Sequence, residues 1–115
     1  MTITITQDHW NTAVEQFDDG TQGRQRATEW DLRKESPVAL ATQEAGLETA
    51  IVQWYHSGYC DLVLQSVVGD VHIEMPPEVV AVDRAFCDYL NWLHAENGEC
   101  PTTPSFPVTW PFSEE

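Results

Sequence analysis

Apolar positions along the chain switch between two periods, and the switches mark out the elements. In "TITIT", residues 2–6, isoleucine alternates with threonine, a period of two that predicts a short, half-buried strand. Helical spacing begins directly after it: Trp10, Ala13, Val14 and Phe17 fall at i, i+3, i+4 and i+7 and predict a helix over residues 7–18. "DDGTQGRQR" carries two glycines and no period, and is an expected loop. Residues 27–35, "ATEWDLRKE", fit neither period, since Trp30 and Leu32 share a face in a strand and not in a helix.

Ser36-Pro37 has the form of a helix start, with a capping hydroxyl followed by proline at the first helical position. The apolar positions of "SPVALAT" do not stay in phase with those of residues 43–55, however, and a short strand at 38–42 is the preferred reading. From Gln43 onward Leu47, Ala50, Ile51, Trp54 and Tyr55 form a helical stripe, which predicts a helix stopped at Gly58.

"DLVLQSVV" and "DVHIEM" flank "GD", a two-residue turn signal that predicts an antiparallel hairpin. Alternation puts Val71, Ile73 and Met75 on its core face and Asp70, His72 and Glu74 on the other. Pro76-Pro77 ends the sheet, since proline lacks the donor a ladder needs, and opens a helix over residues 78–96. On that helix Val79, Val82, Phe86, Tyr89, Leu90 and Leu93 lie within one arc, with Arg84, Asp88 and Asn91 opposite. Trp92 lies off the arc, where it needs either cover or a partner. The tail "ECPTTPSFPVTWPFSEE" is proline-rich and extended, with Phe106, Trp110 and Phe112 along it.

These elements predict an α+β fold: one small domain with a short, mainly antiparallel sheet packed against two or three helices. The expected division is a compact domain over residues 1–100 and an extended segment over 101–115 that packs on the domain or docks a partner. The expected core includes Trp10, Phe17, Ile51, Trp54, Leu62, Leu64, Val71, Ile73, Phe86, Leu90 and Leu93. A 115-residue chain is the size of one domain, and an apolar fraction of 42% with five tryptophans is ample for its core.

Charge changes the picture most. The formal net charge is −14, with nine acids and four bases in residues 1–57 and ten acids against one base in residues 58–115. Such a field repels nucleic-acid backbones and anionic lipid and accelerates encounters with basic partners, so direct nucleic-acid or membrane binding is not expected. The opening "MTITITQDHW" has neither the basic nor the apolar region of an export signal, and no apolar run is long enough to span a bilayer. Cys60, Cys87 and Cys100 then read as reduced thiols of a cytoplasmic protein.

Candidate chemistry is sparse. No cysteine or histidine pair has the tight spacing of a structural zinc site, and Cys87 and His94 lie roughly 10 Å apart along a helix axis, too far to share one ion. Asp70, His72 and Glu74 are the best catalytic set, a histidine between two carboxylates, but carboxylate neighbours favour imidazolium and weaken it as a base. No nucleophile elbow, phosphate loop, dinucleotide fingerprint or calcium loop is present. No catalytic residue, metal or cofactor is therefore assigned. The expectation is a non-enzymatic binding module, an inhibitor or regulator whose acids meet a basic surface on a larger protein, including one that itself binds nucleic acid. Immunity-type and phage counter-defence proteins use this physics. The expected contact residues are Asp61, Asp70, Glu74, Asp83, Asp88, Glu96 and Glu99, with Trp92 as apolar anchor. Two other readings are a small metal-dependent or acid–base enzyme built on Asp70/His72/Glu74 and a structural or assembly subunit, including a homodimer joined through Trp92 and the tail aromatics.

Overall fold

The computed structural model describes residues 2–17, 34–47, 50–55, 60–95 and 98–111. Three helices and two antiparallel sheets make up an α+β domain. Strand β1 (Thr2–Ile5) pairs with β5 (Val108–Pro111) in the smaller sheet, and β2 (Ala50–Trp54), β3 (Cys60–Leu64) and β4 (Val71–Glu74) form the larger one in that order. Helices α1 (Gln7–Phe17), α2 (Pro37–Glu44) and α3 (Pro77–Ala95) complete the fold.

The alternation in "TITIT" and the helical stripe after it both hold. Ile3 and Ile5 are buried while Thr2 and Thr4 are exposed, and Trp10, Ala13 and Phe17 face the interior from α1. Thr6 and His9 close the start of α1 as a reciprocal cap: the His9 backbone N–H donates to Thr6 Oγ1 at 3.4 Å, and the Thr6 N–H donates to His9 Nδ1 at 2.9 Å. Histidine stands here where a capping box has glutamate. Its Nδ1 is thereby an acceptor, so Nε2 carries the proton and donates to Glu44 Oε2 at 2.5 Å, tying α1 to α2. The loop expected at "DDGTQGRQR" lies outside the described residues, as does the ambiguous stretch except for Lys34 and Glu35.

Two expectations fail together. Residues 38–42 belong to helix α2, and residues 50–54, expected to be helical, form strand β2. In α2, Val38, Ala39, Ala41 and Thr42 are all at most 3% exposed, so there is hardly a polar face and hence no amphipathic period to detect. Its ends were written in the sequence. Ser36 is the N-cap and accepts from Ala39 N–H at 3.1 Å, with Pro37 at the first position. Gly46, at φ +108°, closes the other end: its N–H donates to Gln43 O and that of Leu47 to Thr42 O, the two bonds of a Schellman motif. In β2, Ile51 and Val52 are adjacent and both buried, which can happen only if both strand faces are covered. Such a continuous apolar run mimics a helical stripe.

The hairpin forms, but not around a two-residue "GD" turn. Leu64 pairs with Val71, so residues 65–70 make up the connection. Ser66 Oγ donates to Gly69 O at 2.6 Å across it, and Gly69 has φ +133°. Pairing Leu64 with Val71 instead of Met75 is a shift by an even number of residues, so the face assignments survive it. Burial falls along the core-facing row: Met75 is buried, Ile73 partly buried, and Val71, expected in the core, is 51% exposed because that end of the hairpin projects beyond the packed layers.

Helix α3 presents Val79, Val82, Phe86 and Leu90 to the interior, with Tyr89 and Leu93 half-buried and Arg84 and Asp88 exposed. Two clusters build the core. Ile3, Ile5, Val38, Val52, Leu62, Val79, Val82 and Trp110 join both sheets to α2 and α3. Trp10, Phe17, Phe86 and Leu90 join α1 to α3, with Phe86 edge-on to Trp10 at 5.3 Å and to Phe17 at 5.7 Å between ring centroids. In the C-terminal segment Trp110 is 3% exposed opposite Ile3, and Phe106 packs against Trp10 at 5.9 Å. Phe112 lies outside the described residues. Of the remaining expected core, Ile51 and Leu62 are buried, and Trp54, Leu64 and Leu93 are half-buried. Among the described residues no helix is long and apolar enough to cross a membrane.

Candidate functional site

The hairpin brings together the side chains with the most chemistry. Asp61 on β3 lies opposite Gln53 on one side and Glu74 on the other, and His72 lies opposite Val63. All share the face that looks away from the main cluster, because strand residues two apart point the same way. The Asp61 carboxylate accepts from the Tyr55 hydroxyl at 3.1 Å and from His72 Nδ1 at 3.2 Å, and Tyr55 Oη is 3.0 Å from the same ring nitrogen. A carboxylate only accepts, so in its contact with Asp61 Nδ1 is the protonated nitrogen of His72. The carboxylate His72 meets is thus Asp61 and not Asp70 or Glu74, a correction to the expected set. A period-two pattern within one strand cannot reveal a cross-strand neighbour. Tyr55 escapes a sequence reading for a related reason: the stripe that places it on a helix belongs to a strand.

Glu74 stands directly across from Asp61, and like charges at opposed strand positions repel. Asp61 has Tyr55 and His72 to offset this, while Glu74 is exposed. At the tip, Val67 and Val68 are 103% and 94% exposed, and with Val71 they are the exposed large hydrophobics among the described residues. Asp70, also exposed, sits between them and β4. One hairpin therefore combines a projecting apolar tip with acids along its polar face. Nothing in the apolar pattern distinguished these tip valines from core valines.

The other expected contact residues divide. Asp88 is exposed on α3, and Glu99 is exposed beyond it. Trp92 is half-buried, with its Nε1 donating to Gly98 O at 3.2 Å and its ring 5.8 Å from that of Tyr89. Glu96 lies outside the described residues. Asp61, at 7% exposure, and Asp83, at 0%, are interior groups, so neither stands at a polar edge as expected. Asp61 is held in the sheet by its two donors. Asp83 is enclosed because it follows Val82 on α3, where the packed arc widens to meet the start of α2.

Asp83 Oδ1 accepts from Val38 N–H at 3.3 Å, the carboxyl is also bonded by the Ser36 side chain, and Oδ2 has no partner among the described residues. A helix N-terminus favours a carboxylate. Burial nevertheless dominates those two bonds and pushes its pKa from 3.8 to about 7. This carboxyl fastens α3 to α2.

Cys60 is buried, Cys87 half-buried and Cys100 exposed, with no disulfide between them. Among the described residues no three His, Cys, Asp or Glu side chains are grouped to hold a metal ion. Compared with family models, characterised proteins and solved structures, the chain finds no match in any of the three.

Proposed function

We propose that this protein works by binding: it is a cytoplasmic inhibitor or regulator that engages a basic surface of a larger protein. That surface is of the kind that itself holds nucleic acid. The observation that carries this reading is the β3–β4 hairpin, where Val67, Val68 and Val71 project beside Asp70 and Glu74. Interfaces draw most of their affinity from a small apolar centre ringed by polar groups. The half of the chain that bears the hairpin has ten acids against one base, which steers a cationic partner toward it.

The test joins capture to charge. Tagged protein is used to capture partners from its native host at low salt, and each is re-expressed and measured by surface plasmon resonance. A genuine partner is basic, and its association rate falls at least about tenfold between roughly 50 and 500 mM salt. The combined variant Asp70→Asn, Glu74→Gln, Asp88→Asn, Glu99→Gln shows the same fall at low salt. Association indifferent to both salt and neutralisation removes the proposal.

A second reading has its own observation. The Tyr55–Asp61–His72 contacts orient an imidazole by a carboxylate, the arrangement a general base uses. It predicts that His72→Ala abolishes an activity that survives in Asp70→Asn, and a chain insensitive to His72→Ala in every assay dismisses it.

A further inference from the structure

The hairpin has an outer edge as well as two faces. Met75 N–H donates to Cys60 O at 3.1 Å, which sets the phase of the β3–β4 ladder. In an antiparallel pair, residues alternate between those whose N–H and C=O both point to the neighbour and those whose groups both point away. Residues 71, 73 and 75 therefore face β3, while the backbone groups of His72 and Glu74 point outward. Among the described residues no strand pairs with that side of β4, and His72 and Glu74 are exposed. Two donors and two acceptors thus stand in line on an edge open among the described residues, next to Val71 and Ile73 on one face and Asp70, His72 and Glu74 on the other. Proteins ordinarily blunt such an edge.

We infer that β4 pairs with an extended basic segment of the partner, which adds as a further strand with alternating cationic and apolar residues. This rests on the reading of the protein as an acidic binding module and names how it binds. Strand addition supplies backbone hydrogen bonds for affinity and side-chain alternation for specificity. The incoming apolar positions extend the row of Ile73 and Val71. Its cationic positions fall on the face of Asp70 and Glu74, where one of them pairs with Glu74, which stands opposite Asp61 and has no cation beside it among the described residues. A second copy pairing through the same edge sets Asp70 and Glu74 against Asp70 and Glu74, so charge favours a basic occupant.

The probe is a short synthetic peptide of alternating lysine and valine, compared with peptides in which threonine or glutamate replaces lysine, and with a lysine–valine peptide N-methylated along one edge. Hydrogen exchange of the full chain, read by NMR, reports the His72 and Glu74 amides. The lysine–valine peptide is expected to slow both at least about tenfold at saturation, the glutamate peptide not at all, and the N-methylated peptide not at all despite its unchanged charge. Equal binding of the N-methylated peptide, or binding that protects amides elsewhere, overturns the edge inference and leaves the acidic reading standing. Equal binding of the threonine peptide at β4 overturns the acidic reading and the basic occupant while leaving the edge itself. Protection that rises with protein concentration in the absence of peptide makes a second copy the occupant and overturns the inference.

Discussion

The meeting of α2 with α3 and the tip of the β3–β4 hairpin are built from the same residue types and do opposite things. At the first, Val38, Val79 and Val82 surround Asp83, with every one of these at most 1% exposed. At the second, Val67, Val68 and Val71 accompany Asp70, and all are exposed. Enclosure makes the carboxyl expensive to ionise and turns it into a fastening between helices. Exposure leaves the carboxylate as a source of field and leaves much of the valine surface in water. The same composition serves the fold in one place and, in the function proposed above, association in the other, and only packing separates the two.

Breaking the packed region should have the largest effect. Phe86→Ala removes the ring that meets both Trp10 and Phe17, and a loss of about 3–5 kcal/mol in urea unfolding is expected. Next comes Asp83. Its folded pKa of about 7 lies above the ordinary 3.8, so between those values the folded chain holds a proton that the unfolded chain has released. Stability from this group is therefore full below about pH 4, falls as pH rises through 7, and is flat above, a change on the order of 4 kcal/mol. Asp83→Asn has no such proton, and denaturation at pH 4 and pH 8 should show it gaining on the wild type by a similar amount. A constant difference across that range places Asp83 in water and erases the contrast.

Smaller effects test the cap and the tip. Ser36→Ala removes the acceptor for Ala39 N–H and a donor to Asp83, and a loss of about 1 kcal/mol is expected. Val67→Ser together with Val68→Ser should change unfolding by less than about 0.5 kcal/mol, since both side chains are already in water. The same pair should weaken binding to the captured basic partner by about 1–2 kcal/mol. A large stability loss there shows that the tip is a structural element after all.

Legibility in the sequence tracked the degree of one-sided burial. Helix α3 and strand β1 each have a wet side and a dry side, and their periods are plain in the order of residues. Helix α2 and strand β2 are buried on nearly all sides or on both faces, so their apolar patterns carry no phase. Ser36-Pro37 marked the start of α2, and Gly46, which carries no period, closes its other end. Among the expected contact residues, the exposed acids Asp70, Glu74, Asp88 and Glu99 were legible as polar positions. Asp61 and Asp83 were not, because an acid in sequence looks the same whether water or protein surrounds it.

Residue order alone determined the α+β class, the lopsided charge, the long helix and the alternation of the hairpin, since each is a local or additive property of the chain. Tertiary structure alone decided which aspartates are interior, which histidine neighbour is Asp61, where the hairpin turns, and that Trp110 from one end of the chain closes the core beside Ile3 from the other. Those are contacts between residues distant in sequence. Their energies come from desolvation and packing, which no residue carries until its neighbours arrive.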